Sequence, residues 1–264
     1  MRVFDFNTAI VRTPGHSVVD GLRAGEGPSP SYPTLLSEHT TYIRALQDIG
    51  VQVSTLDPLE RYPDAVFVED PALVFTDAAI LLRPGAKTRI GEIDELAPEL
   101  MRRFSKVLVQ GEGYADGGDV LVTPQRVLIG LSARTNALGA AQLQNLLETI
   151  GRHSAVVQPP RGTLHLKTGA SLIDEETILA TPSLAKSQIF EGYRVLTTPP
   201  DEESAANALR VNDTVFVGSK YPRTAGLLTD HGLKVVTLPV DEVGKIDAGL
   251  SCMSLRWFDP GLRR

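Results

Sequence analysis

The chain has one cysteine, Cys252, in 264 residues, so it forms no internal disulfide and is not a disulfide-stapled secreted scaffold. It lacks any Lys/Arg run, and its formal net charge of −6 argues against a nucleic-acid surface. Its longest apolar runs are strand-length, far short of the ~20 residues that span a bilayer, so no membrane role is expected. The opening Met1-Arg-Val-Phe-Asp-Phe-Asn has no apolar core, and Asp5 interrupts it early. That points away from a secretory signal and towards the cytoplasm. No Cys/His grouping has zinc spacing, and no structural metal is expected. No interdomain linker is evident, so residues 1–264 are expected to form one domain. The only low-complexity stretch, Arg23 to Pro33, is rich in Gly, Pro and Ser. It is either a long connection or a mobile lid over a site.

What the chain does have is a recurring unit of strand, tight turn, strand, helix and strand. In the clearest copy, Asp119–Thr123 and Val127–Gly130 are β-rich runs around the turn Pro124-Gln-Arg. Leu143, Leu146, Leu147 and Ile150 then follow the spacing of a helix face from Thr135 to Ile150. Gly151 is the expected left-handed cap, and Ala155–Val157 closes the unit. A second copy runs through Leu73–Phe75, Ala79–Leu82, a helix around Ile93 to Phe104, and Val107–Val109. A third uses Ser171–Ile173, Thr177–Leu179, a short helix between Pro182 and Phe190, and Val195-Leu196. The fourth uses Ala208–Val211, Val215–Val217, a helix opening at Pro222, and Val235–Leu238. The fifth is stitched from both termini: strands at Cys252 to Phe258 and Val3 to Val11, a helix from Ser37 to Ile49, and Val51–Leu56. Units of this length, ~40–50 residues, predict an array, and joining the termini closes it without an exposed edge. A doubly wound α/β sheet has a similar rhythm, but hairpins within each unit do not suit an all-parallel sheet.

Cys252 follows the small, loop-like run Ala-Gly-Leu-Ser. It is either a buried small hydrophobe or a nucleophile that needs a base near it in space. Of five histidines, His39 falls in a helix pattern, and His153 and His231 flank helix-ending glycines. His165, in Gly162-Thr-Leu-His-Leu-Lys-Thr-Gly169, lies just ahead of a strand. There it serves either as a general acid and base or as a strand histidine bonded to a backbone carbonyl. Two acidic clusters precede strands at the same stage of the repeat: Asp64 with Glu69-Asp70, and Asp116-Gly-Gly-Asp119. A ring would bring them to one end, where crowded carboxylates call for a cation, and a guanidinium fits them bidentately. Separately, each cluster also reads as a turn or a solvated loop. Arg89 and Arg134 stand at matching stages, as surface residues or as partners for a substrate carboxylate.

The segments Arg12-Thr-Pro14 with Asp20-Gly-Leu22, Phe67-Val-Glu-Asp-Pro71, Arg83-Pro-Gly85, Gly117-Gly-Asp119, Ser132-Ala-Arg-Thr-Asn136, His165-Leu-Lys-Thr168, Tyr221-Pro-Arg-Thr224 and Ser251-Cys-Met-Ser-Leu255 resemble the dimethylarginine dimethylaminohydrolase family, in order and over nearly the whole chain. The resemblance implies the pentein fold, a five-fold pseudo-symmetric α/β propeller. It implies hydrolysis of methylated arginines to citrulline and a methylated amine, through a covalent Cys thiouronium, with no cofactor. It makes Cys252 the nucleophile, His165 the general acid and base, and Asp116 the group that orients His165. Asp70, with Glu69 nearby, would bind the guanidinium, and Arg89 and Arg134 the α-carboxylate. Asp64 and the Leu22 backbone would surround the α-amino group, and the Ile246 backbone would contact the substrate near Cys252. The partner is then a small guanidino amino acid, with a homodimer left open. An arginine deiminase or amidinotransferase reaction is the alternative within the fold; a non-catalytic pentein binding protein is the alternative outside enzymology.

Overall fold

The computed structural model describes residues 1–262. The chain opens with strand β1 (Thr8–Arg12), helix α1 (Tyr32–Asp48) and strand β2 (Gln52–Leu56). Four β-β-α-β units follow. The first is β3 (Ala72–Val74), β4 (Ala79–Leu81), α2 (Glu92–Arg103) and β5 (Val107–Val109); the second is β6 (Val120–Val122), β7 (Val127–Gly130), α3 (Ala137–Thr149) and β8 (Ser154–Val157). The third is β9 (Ala170–Leu172), β10 (Thr177–Ala180), α4 (Pro182–Ala185) and β11 (Arg194–Thr197). The fourth is β12 (Leu209–Val211), β13 (Thr214–Gly218), α5 (Pro222–Asp230) and β14 (Lys234–Leu238), after which β15 (Leu255–Trp257) pairs back onto β1.

Each of the five sheets has three strands and one plan. An inner strand runs antiparallel to a middle strand, which runs parallel to an outer one, as in β6-β7-β8. The helix is the crossover that a parallel pair requires. Middle strands are buried throughout, because helices cover one face and the neighbouring sheet the other; β1, β7 and β13 have no exposed residue. Outer strands are half-exposed. All five inner strands line one central cavity, which makes the array a closed ring. The expected fifth unit forms from the two termini, with Thr8, Ala9 and Ile10 opposite Trp257, Arg256 and Leu255.

Three boundaries differ most from the sequence reading, the first being strand β1, which begins at Thr8 rather than Val3. Helix α1 begins at Tyr32 rather than Ser37, because Pro33 occupies its first turn, where the missing N–H costs nothing. The last strand begins at Leu255, so Cys252 lies in a turn before it. Helix α3 starts where Asn136 Oδ1 accepts the Gly139 N–H at 2.8 Å, and Gly151 follows its end in the left-handed conformation, φ 69°. Among the described residues no helix is long and apolar enough to cross a membrane.

Candidate active site

The ring gathers chemistry at the leading ends of its inner strands. Asp70 precedes β3, Asp116 precedes β6, His165 precedes β9, Asn207 precedes β12 and Cys252 precedes β15. Each unit thus supplies one polar or nucleophilic side chain from a short turn that the strand then anchors.

Asp116, His165 and Asp70 have ligand atoms within 4.8 Å of one another. His165 Nε2 lies 3.0 Å from Asp116 Oδ2. The other oxygen of Asp116 accepts the Gly85 N–H at 2.7 Å. The imidazole covers Gly118, where an added Cβ would stand 2.7 Å from Nδ1, so this turn requires glycine. Asp119 fixes the same turn from behind: it accepts the Leu166 N–H at 2.9 Å and the Ser132 and Thr135 hydroxyls at 2.6 and 2.7 Å. Burial pushes its carboxyl up despite the charge of His165. For His165 itself, burial opposes the charged form, but Asp70, the bond to Asp116, and Asp119 outweigh it and raise the pKa to about 9. The imidazolium is therefore the resting form at neutral pH.

Asp70 is buried, yet its carboxyl is lowered, because Arg89 and His165 more than offset the burial. Its Oδ1 accepts the Gly118 N–H at 3.0 Å and its Oδ2 takes the Arg89 guanidinium. This is a departure from the expected role of Arg89. Its fork is spent inside the protein, on Asp70, on Glu92 (2.9 and 2.8 Å) and on the carbonyls of Asp64 and Phe67 (3.2 and 3.0 Å). Each of its three nitrogens is thus engaged within the protein. The reason is local: the turn at Lys87–Arg89 buries the side chain, and a buried guanidinium needs acid partners.

Glu69 also faces elsewhere than expected. It pairs with Lys167 at 2.7 Å and Arg256 at 3.3 Å and accepts the Ser251 hydroxyl at 2.9 Å. As the neighbour of Asp70 it diverges from it, so only one of the two carboxylates turns to Arg89. Arg134 is the freer cation, partly exposed, with Nη1 3.8 Å from Asp116 Oδ2. Burial raises the Asp64 carboxyl, opposed only in part by Arg89, the Leu22 N–H and, least, Arg134. Asp64 accepts the Leu22 N–H at 3.0 Å. Ile246 is buried against Gly21, and the next residue, Asp247, holds a left-handed φ of 54° and accepts the Ala24 N–H at 2.5 Å. Leu22, Ala24 and Ile246 are thereby joined at the start of the glycine-rich loop.

Cys252 is half-buried, with its N–H on the Gly249 carbonyl at 3.3 Å. Burial, then the charges of Glu69 and Asp70, push the thiol up to about 12. One residue that the sequence reading passed over stands against it. Asn207 Nδ2 is 3.8 Å from Sγ, and Asn207 Oδ1 accepts the Ser251 N–H at 3.0 Å. Its signal was available: it holds the same place before an inner strand as Asp70, Asp116 and His165. The Asp70, Asp116 and His165 atoms have the spacing of a metal cradle. Both Asp70 oxygens and both Asp116 oxygens already meet protein donors, so neither carboxylate stands free for an ion.

The chain is similar to known proteins over nearly its whole length. The family model described as arginine deiminase matches residues 107–205. A dimethylarginine dimethylaminohydrolase of Pseudomonas aeruginosa is 40% identical over 255 residues, covering 96% of this chain and all of that protein. One from Streptomyces coelicolor is 31% identical, covering 94% and 96%. A crystal structure of the Pseudomonas protein, a Cys-to-Ser mutant complexed with citrulline, superposes with a TM-score of 0.93 at 39% identity, covering 96% of this chain and all of that one. The fold alone is shared with the N-terminal domain of the arginine dihydrolase ArgZ from cyanobacteria, at 19% identity and a TM-score of 0.84, covering 97% and 99%. With a pentein ring and full-length identity of this order, the chain belongs to the dimethylarginine dimethylaminohydrolase family.

Proposed function

We propose that the protein hydrolyses Nω-methylated arginines, asymmetric dimethylarginine and monomethylarginine, to citrulline and dimethylamine or methylamine. The observation that carries this is the Asp70 carboxylate. It bears on both His165 and Cys252 and already holds a guanidinium, that of Arg89, in a buried site. A substrate guanidinium is the same chemical group, and on this reading it replaces Arg89 on Asp70. Arg89 keeps Glu92 and, once released from Asp70, turns Nη1 with Arg134 to the substrate α-carboxylate. Asp64 and the Leu22 backbone take the α-amino group, and the Ile246 backbone lies beside the chain.

The charges set the order of events. At rest Cys252 is a thiol and His165 an imidazolium, so His165 has no room for the thiol proton. The entering cation offsets Glu69 and Asp70, the proton leaves for solvent, and the Asn207 amide faces the thiolate. Sulfur attacks the guanidinium carbon to give a tetrahedral adduct. The C–N bond then breaks as His165 gives its proton to the departing amine, leaving an S-alkylthiouronium. The neutral imidazole next takes a proton from water, and the hydroxide adds to the same carbon. The C–S bond breaks as the hydroxyl proton of the adduct leaves for solvent, giving citrulline and the Cys252 thiolate, with His165 again an imidazolium. The same reading makes the enzyme cytoplasmic.

Incubation of the purified protein with asymmetric dimethylarginine tests the reading. Citrulline and dimethylamine in equal amounts are expected, with little ammonia from arginine. Ammonia from arginine at equal or greater efficiency would instead make it an arginine deiminase.

A further inference from the structure

Lys167 stands two residues past His165, in the short turn Leu166–Thr168 that leads into β9. The two side chains serve different neighbours. His165 meets Asp116, while Lys167 forms an ion pair with Glu69, Nζ to Oε1 at 2.7 Å. Both members of that pair are largely buried, with side chains 14% and 5% exposed, so salt and water screen it little.

Glu69 in turn holds the Cys252 turn at two points. Its N–H donates to the Cys252 carbonyl at 3.2 Å, and its Oε2 accepts the Ser251 hydroxyl at 2.9 Å. A carboxylate so close to the nucleophile opposes the thiolate. The charged groups that bear on the sulfur are Glu69 and Asp70, from the segment before β3, which raise the thiol, and Lys167, which lowers it. Arg256, from β15, reaches the same Glu69 oxygen at 3.3 Å, but it also donates to the carbonyls of Ser251 and Ser254 at 3.1 and 2.6 Å. Arg256 therefore fastens the turn. Among the described residues, Lys167 pairs with Glu69 alone and reaches the turn only through it. What it brings to the turn is charge.

We propose that Lys167 is a positioning residue for the nucleophile: its ammonium offsets the Glu69 carboxylate, so that Glu69 holds the Cys252 turn without suppressing the thiolate. One turn then supplies both the acid for the leaving amine, His165, and the cation that lets the sulfur ionise. This role rests on the reading of Cys252 as the nucleophile. Its test uses no substrate, so it stands or falls apart from the choice of guanidine.

Iodoacetamide is a suitable probe, because it is neutral and reacts with the thiolate. Its rate with Cys252 is followed by mass against pH, in the protein without substrate. Lys167→Met keeps the length of the side chain and removes its charge, so at a fixed pH below the thiol's midpoint the rate should fall at least ~5-fold. Lys167→Arg keeps the charge and should stay within ~2-fold of wild type. Glu69→Gln keeps an acceptor for Ser251 and removes the opposing charge, so its rate should rise at least ~5-fold. The double variant has lost both charges, and its rate should lie between those of the two single variants. An unmoved profile in Lys167→Met, an Arg variant as slow as the Met one, or slowing by Glu69→Gln would overturn the proposal. Lys167→Met alone leaves a buried carboxylate less compensated and is the variant most exposed to misfolding. The comparison of Glu69→Gln with the double variant then decides: adding Lys167→Met must slow alkylation at least ~5-fold, and equal rates leave Lys167 no part in the ionisation.

Discussion

Asn207 grips the loop of Cys252 at two points, taking the Ser251 N–H on its oxygen at 3.0 Å and presenting its amide nitrogen 3.8 Å from the sulfur. The backbone comes so close that a Cβ on Gly249 would stand 2.6 Å from Asn207 Cγ. One group therefore both shapes the turn and faces the thiolate.

The two roles separate by substitution. Asn207→Asp keeps the acceptor for Ser251 but replaces the donor with a third carboxylate near sulfur. A hydrogen bond to a charged group is worth ~1.5–3 kcal/mol, so kcat/KM should fall ~10–150-fold with the fold intact. Alkylation of Cys252 by iodoacetamide should move to higher pH. An unchanged alkylation profile would leave Asn207 with only the loop to hold.

His165 gives a second test, through pH. Its pKa of about 9 depends on Asp70, Asp116 and Asp119, and the protonated form is the acid that the amine needs. Activity should decline as pH rises through about 9. Asp116→Asn removes a raising influence, so the decline should begin at lower pH, and kcat/KM profiles of both proteins will show whether it does. The stability sign agrees: this raised pKa contributes fully below about 6.5 and its contribution is lost as pH rises through about 9. His165→Ala should cost ~10²–10⁴ in turnover, and quenched samples should carry the thiouronium on Cys252 by mass.

Most of this fold was legible because its units repeat one local pattern. Paired β-rich runs with a turn between them mark every hairpin, and Leu143, Leu146 and Leu147 mark a helix without tertiary help. His165, Asp116 and Asp70 emerged by their place before strands, Cys252 as the lone cysteine after a small loop-like run, and their roles by resemblance. The direction in which a side chain turns was not legible. Glu69 and Asp70 are adjacent in sequence, yet one goes to Lys167 and the other to Arg89. Arg89 was visible as a cation, but Glu92, which claims its fork from three residues on, looked like an ordinary acid at the start of a helix. Asn207 stayed hidden because an amide has no charge to draw attention to it.

His39 offers a test of stability away from the site. It is buried in α1 with Nε2 unpartnered, and burial lowers its pKa to about 4. The unfolded chain takes up that proton near 6.5, so between about 6.5 and 4 it binds more protons than the folded one, and stability falls as pH falls. The loss by pH ~4.5 amounts to ~2–3 kcal/mol at ~1.4 kcal/mol per pH unit. In His39→Gln that part of the slope should vanish. Urea unfolding of both proteins at neutral and acid pH measures it, and identical slopes would mean that His39 is charged in the fold.

Recognition of the substrate α-carboxylate is tested without a mutant. Arg134 is partly exposed beside Asp116 and influences Asp64, while Arg89 is committed to Asp70 and Glu92 until a guanidinium arrives. On the proposed exchange, an arginine-length substrate supplies both a guanidinium for Asp70 and a carboxylate for the arginine it displaces. Asymmetrically dimethylated agmatine supplies only the first, and leaves Arg89 without a partner for its freed donors. Losing one member of a buried charge pair costs ~2–5 kcal/mol, so kcat/KM should drop at least ~30-fold relative to asymmetric dimethylarginine. If Arg89 never leaves Asp70, the carboxylate meets Arg134 alone near solvent, where a single exposed pair is worth only ~0–1 kcal/mol. The two substrates would then differ by less than ~6-fold, and Arg89 would stay a fixed support of Asp70.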